Sequence, residues 1–261
     1  MPTFPTRPSQ IAVIDREEYL TQRWTYRPGE HLTILGSSGS GKTELLNGLL
    51  ARSATPQLQS LYLMLKPHDS TMDKFIREHG HKVVQRFPEG RRLMWWERKP
   101  PGYVVWPHGT ASVDPDEDEE RMAWTFIRAM HHAYNHTHRK RPVPYIVVAD
   151  EGVELDELAT ESTRKIRVAR WTNALHARGR SMGTGMWTGT QRPAGLNLKA
   201  YNGAIHLFLA REDDERNRKR FGEIGGFDPR LISATAAQLP DFHFLALRKR
   251  PGHRAICIVG P

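Results

Sequence analysis

The chain has 261 residues, with 38 lysines and arginines against 29 acids and a formal charge of +9, a balance that favours a polyanionic partner such as nucleic acid over an acidic small molecule alone. Its single cysteine, Cys257, excludes an intrachain disulfide and a cysteine-based zinc site and fits a reducing cytoplasm. The opening "MPTFPTRPSQ" lacks the apolar region of a leader, and the longest apolar runs, such as Tyr145 to Ala149, are strand-sized, so neither a targeting segment nor a membrane span is expected.

The 38% hydrophobic content is enough for a real core, and one large α/β domain over 1–261 is the default organisation. Residues 1–30 read as an N-terminal extension, 31–210 as the main body, and 211–261 as a C-terminal helix and hairpin. The stretch "HLTILGSSGSGKTELLNGLL" (31–50) is the strongest local signal. His31 to Leu35 alternates as a short buried strand can, and Leu45, Leu46, Leu49 and Leu50 fall at helical spacing. Between them, Gly36, Gly41, Lys42 and Thr43 satisfy the P-loop pattern in its strand–loop–helix setting. Glycines let the backbone of Gly36, Ser37, Ser38, Gly39, Ser40 and Gly41 curl so that N–H groups and the helix N-terminus face a phosphate. Lys42 adds a point charge, and Thr43 offers a hydroxyl to Mg2+, so ATP with Mg2+ is the expected ligand.

Further along, Ser60 to Pro67 reads as a strand and Tyr103 to Pro107 as another, with helix from about Asp116 to His136. The acids of "DPDEDEE" (114–120) suit the start of that helix. The apolar strand Tyr145 to Ala149 then ends in Asp150 and Glu151, a Walker B pattern. Asp150 would orient Mg2+ with Thr43, and Glu151 could polarise the water that attacks the γ-phosphate. P-loop kinases and GTPases generally lack that second acid, whereas the additional-strand, RecA-like class carries it. A polar helix is expected over roughly Glu157 to Arg178, followed by a strand in "MGTGMWTGTQRP" that ends near Gln191, whose amide could donate to the phosphate and accept from the water. Gly203 to Ala210 is a further strand, and "FHFLAL" with "RAICIV" forms a hairpin around Arg250-Pro251-Gly252. The fold class expected is a RecA-like P-loop NTPase, with a mostly parallel sheet flanked by helices and a C-terminal β-hairpin.

Together, the P-loop, "VVADE" and "ARGRSMGTGMWTGTQRP" resemble the FtsK-HerA superfamily of hexameric DNA-translocating ATPases, in which a Thr-Gln-Arg-Pro strand end is a frequent signature. "LYLMLKP" is similar to the family strand ending in a Pro-Lys or Lys-Pro pair, and "LPDFHFLAL" to its late Leu-Pro strand. The acid that usually accompanies that lysine is absent, which leaves the role of Lys66 open. By size the chain is similar to the viral genome-packaging members. That resemblance implies a ring, hexameric or pentameric, that moves double-stranded DNA in the host cytoplasm or at a procapsid or virion vertex, with a capsid or portal vertex protein as partner.

Basic loops that hold phosphates are expected at "RFPEGRRLMWWERKPP" (86–101), with Arg91, Arg92, Arg98 and Lys99, and at "HRKR", with Arg139, Lys140 and Arg141. "REDDERNRKR" (211–220) interleaves acids with bases and reads as a salt-bridged helix. Arg164, Arg167 and Arg170 form a stripe at a subunit boundary, at the pore, or on a solvated face. Arg178 and Arg180 are candidates for an arginine that reaches a neighbouring subunit's γ-phosphate, with helix C-capping as the plain alternative. His132 and His136, a helical turn apart without a third ligand, are read as surface histidines. Competing readings are a plasmid- or phage-encoded FtsK-like DNA-transfer ATPase, an assembly or secretion ATPase acting on protein, a metabolic kinase, and a nucleotide-binding module without turnover. The secretion reading calls for a membrane anchor and the kinase for an acceptor site and lid.

Overall fold

The computed structural model describes residues 5–88, 98–107, 115–136, 143–158, 167–221 and 223–261. In chain order the first elements are β1 (Val13–Asp15), α1 (Arg16–Glu18), β2 (His31–Leu35), α2 (Lys42–Ser53), β3 (Gln59–Leu63), α3 (Ser70–His79), β4 (Lys82–Val84) and β5 (Gly102–Val105). Next come α4 (Pro115–His136), β6 (Tyr145–Ala149), α5 (Gly152–Glu157), α6 (Ala169–Arg178) and β7 (Gly185–Thr190). The last are α7 (Leu198–Gly203), β8 (Ala204–Leu209), α8 (Glu215–Phe221), α9 (Pro229–Ala236), β9 (Phe244–Arg250) and β10 (His253–Gly260). Among the described residues, ten strands form a mostly parallel sheet flanked by helices, the expected α/β class. The chain divides into two compact units: residues 1–25, 31–52 and 188–261, and residues 26–30 with 53–187.

In the first unit the strand order is β1-β10-β9-β8-β2. β2 runs parallel to β8, β8 and β10 flank β9 antiparallel, and β1 runs parallel to β10. All five residues of β2 are buried, as a strand covered on both faces requires. Leu45, Leu46, Leu49 and Leu50 of α2 are fully buried, so the helical spacing read from the sequence is its core face. The hairpin turns at Pro251-Gly252 as expected, where Gly252 has φ +76°. Residues before β2 are built into this unit: Tyr19 meets Phe208 edge-on at 6.0 Å, and Trp24 packs on His206 at 4.6 Å. α8 carries the expected ion pair, Lys219 to Glu215 at 3.2 Å.

The second unit has the all-parallel order β6-β3-β5-β4. Its core sets Leu61, Leu63, Val105 and Val147 against Phe126, Met130 and Ala133 of α4. Asp69 caps α3, accepting from the N–H groups of Thr71 at 2.9 Å and Met72 at 3.1 Å.

Three expectations change. The helix placed over 157–178 is not continuous: α5 ends at Glu157, Leu158 is extended with ψ 134°, and α6 begins only at Ala169. The strand placed over Ser60–Pro67 ends at Leu63, and α3 and β4 follow where no element was expected. His132 is a packing residue, meeting Phe87 edge-on at 5.0 Å and Tyr145 at 5.8 Å.

Candidate functional site

The phosphate-type loop joins β2 to α2 in the first unit. A Cβ on Gly36 would lie 2.6 Å from the Ala210 side chain, so only glycine allows that close approach. Gly41 has φ +86°, a left-handed conformation that turns the chain into α2. Inside the curl, Ser40 Oγ donates to the Ser37 carbonyl at 2.8 Å. Lys42, buried, folds back so that Nζ donates to the same carbonyl at 2.8 Å. Ser37, Ser38 and Gly39 remain exposed at the rim. The first N–H groups of a helix have no partner within it, and a cationic side chain folded over a concave glycine loop suits the phosphates of a nucleotide. Thr43 opens the same helix, half-buried. The Gly36 N–H donates to the Thr190 carbonyl at 3.2 Å, so the strand that ends just before Gln191 borders the phosphate-loop strand, and Gln191 and Arg192 are exposed beyond it.

In the second unit, β6 is buried at all five positions and delivers Asp150 and Glu151, themselves 5% and 9% exposed, at its carboxyl end. Glu151 occupies the N-cap position of α5, yet its side chain makes no capping hydrogen bond. Its carboxylate instead meets Lys66, Nζ to Oε1 at 2.6 Å. Lys66 also lies 3.6 Å from Asp69 Oδ2, and its carbonyl accepts from the Trp106 indole N–H at 2.9 Å. Burial, and then the Asp150 charge, push the Glu151 carboxyl above its ordinary value, while Lys66 pulls the other way. Burial lowers the Lys66 ammonium, but the hydrogen bond and charge of Glu151, with Asp150 and Asp69, leave it raised. The lysine whose role the sequence left open is thus the counter-charge of the second acid. Only the absence of its usual acidic neighbour hinted at this.

The remaining candidates separate. Arg178, in the last turn of α6, donates to the Tyr134 hydroxyl at 3.2 Å, and Arg180 is exposed one turn further on. Arg98, Lys99, Arg167 and Arg170 are exposed. Arg91, Arg92, Arg139, Lys140, Arg141 and Arg164 lie outside the described residues. A feature the sequence did not suggest is a cavity of about 430 Å3 in the second unit, lined by Arg86, Arg121 and Arg128 with Phe87 and Trp124. Arg121 is there held by Asp118 at 2.6 Å.

The sheet order and the glycine loop between β2 and α2 are those of the P-loop NTPase fold. No protein-family model matches the chain, and no curated protein sequence does. Among solved structures it is similar to B204, the DNA-packaging ATPase of Sulfolobus turreted icosahedral virus, at 15% identity with a TM-score of 0.55, covering 89% of this chain and 98% of that one. The genome-packaging NTPase B204 of Sulfolobus turreted icosahedral virus 2, bound to sulfate, gives a TM-score of 0.58 at 13% identity over 90% of this chain and 98% of that one. EssC (ATPases 2 and 3) from Geobacillus thermodenitrificans gives 0.52 at 16% identity over 100% of this chain and 48% of that one. At these identities the likeness is one of fold, and it is consistent with the FtsK-HerA resemblance read from the motifs.

The Lys66–Glu151 pair can be tested through its pH dependence. Removing the cation leaves burial and Asp150 to raise the Glu151 carboxyl further. A carboxyl whose folded pKa exceeds its unfolded value favours the fold at low pH and loses that contribution as pH rises through the folded value. Lys66→Met should therefore cost about 1 kcal/mol near pH 8, less than breaking a fully buried pair because Lys66 is partly in water. Urea denaturation should show the gap closing at acid pH, below the range in which the Glu151 carboxyl titrates. An equal gap at both pH values would mean that Lys66 acts by packing alone.

Proposed function

We propose that the chain hydrolyses Mg-ATP and couples that hydrolysis to movement of double-stranded DNA, as one subunit of a ring that packages a viral genome. One observation carries the reading. Glu151 follows directly on Asp150 at the end of a buried strand, leaves its own helix uncapped and is held by Lys66. A carboxylate at that position can act as general base on an attacking water, and P-loop kinases and GTPases generally lack an acid there. The similar viral proteins, a DNA-packaging ATPase and a genome-packaging NTPase, support the same class of task.

In this reading the backbone of Gly36 to Gly41 and the Lys42 ammonium hold the phosphates. Thr43 and Asp150 are the residues that would hold Mg2+, which when bound neutralises charge developing on the phosphate oxygens. The Glu151 carboxylate takes a proton from the attacking water. Lys66 keeps that carboxylate ionised and fixes its direction. Gln191 donates its amide N–H to the phosphate and accepts from the water through its carbonyl. Of the two candidate trans-acting arginines, Arg180 is the better placed, because Arg178 is tied to Tyr134 within its own unit. DNA is held by phosphate contacts from Arg91, Arg92, Arg98 and Lys99 and from Arg139, Lys140 and Arg141. Among the described residues no helix is long and apolar enough to cross a membrane.

Glu151→Gln should bind ATP with near-parental affinity and lose turnover, because an amide cannot accept the proton; equal loss of both would make Glu151 structural. Duplex DNA should stimulate hydrolysis, and its binding should weaken steeply with salt. Replacing Arg91, Arg92, Arg98 and Lys99 should flatten the log–log salt slope by about 1 for each residue that touches a phosphate, and an unchanged slope would clear that stretch. Arg180→Ala protomers should bind ATP, hydrolyse it poorly, and regain activity when mixed with Lys42→Ala protomers. No recovery in mixed rings would place Arg180 outside the neighbour's site.

A further inference from the structure

Beside the glycine loop, within the first unit, lies a cavity of about 230 Å3. Ser37 and Ser40 of the loop line it, with Arg211 and Asp213 after β8 and Asp241 and Phe242 before β9. Phe242 is unusual in two respects. It is 48% exposed, and its backbone has φ +61°, a left-handed conformation that costs a bulky residue energy. Its surroundings impose that conformation. Arg16 Nη2 donates to the Phe242 carbonyl at 2.7 Å, and the next residue closes a turn, His243 N–H to the Pro240 carbonyl at 3.2 Å. Gly260 leaves room for the His243 ring, whose Nε2 would lie 2.4 Å from a Cβ at that position. Arg211 fixes the opposite wall, with Nε 3.1 Å from Asp213 Oδ1 and Nη1 3.8 Å from Asp241 Oδ1. The Phe242 ring leans on the loop itself, with Cδ1 3.3 Å from where a Gly41 side chain would begin.

The chemistry changes along this surface. At the loop, N–H groups and Lys42 suit an anion. In the cavity an aromatic face stands beside carboxylates already paired to Arg211, a mixed surface that suits a flat π system with hydrogen-bond donors better than a second anion. We propose that this cavity receives the base and ribose of the nucleotide, with the Phe242 ring as the surface on which the base stacks. The carboxylates of Asp213 and Asp241 are the acceptors for ribose hydroxyl or exocyclic amino protons. Strain at an exposed aromatic is then accounted for, since the turn presents the ring rather than burying it. The inference rests on nucleotide binding at the glycine loop.

The test compares ATP with inorganic tripolyphosphate, which lacks base and sugar, by calorimetry on the full chain. Phe242→Ala should weaken ATP on the order of ten-fold, as loss of one base–aromatic stack does, and leave tripolyphosphate unchanged. Phe242→Gly relieves the left-handed strain, so it should fold at least as well as the parent and still lose ATP affinity. Phe242→Trp should restore affinity, with indole fluorescence quenched by ATP but not by tripolyphosphate. Unchanged ATP affinity in the alanine and glycine variants would overturn the proposal, as would an equal loss for both ligands, which would make the ring a prop for Gly41. A parent protein that binds neither ligand would overturn the nucleotide-binding reading itself.

Discussion

Two neighbouring carboxylates that are both nearly out of water set the terms for the second unit. β6 is buried along its whole length, so its last residues leave the strand in a dry region, and Asp150 and Glu151 repel each other there. Either acid could relieve the repulsion by taking up a proton. Lys66 provides the other solution, a cation brought in on the chain that continues β3. Its position is set in turn by the edge of the sheet, because the Trp106 indole holds the Lys66 carbonyl while the Trp106 N–H donates to the Val84 carbonyl at 2.8 Å. Short edge strands that look dispensable therefore help to aim a charge.

The first unit solves the opposite problem, gathering positive potential on an exposed curl of backbone. Glycine makes the curl possible where Ala210 crowds Gly36 and where the chain turns into α2. A second left-handed residue, Phe242, sits against the first turn of that helix, and a residue from α1 holds it in place. Segments far apart in the chain are thus needed to shape one loop, and the loop's composition alone says little about its walls.

Much of this was legible in the sequence because it is written in local spacing. The glycines, the leucines of α2, the apolar run of β6 and the hairpin each declare themselves within about ten residues. Pairing across the fold has no such signature. Lys66 and Glu151 are 85 positions apart, and nothing in "LKP" or "ADEG" points from one to the other. The end of α5 at Glu157 was missed because charged residues continue past it at spacings a helix would tolerate. β1 and β4, three residues each, are too short for periodicity to register, and their partners define them. The strain at Phe242 is invisible in "PDFHF", since phenylalanine is not a residue expected at positive φ.

The pairing of β1 with β10 has a consequence for how the chain is made. Val13 lies beside Ile258, and β2, which carries the glycine loop, lies beside β8. On the ribosome, residues 53–187 emerge as an uninterrupted stretch and hold every strand of the order β6-β3-β5-β4. The other unit must wait. Its first strands leave the exit tunnel early and stay without their neighbours until the C-terminal third has been translated, an arrangement of high contact order that delays closure. A nascent chain therefore carries the glycine loop long before it has the walls around it, and synthesis itself postpones the moment at which that surface is complete.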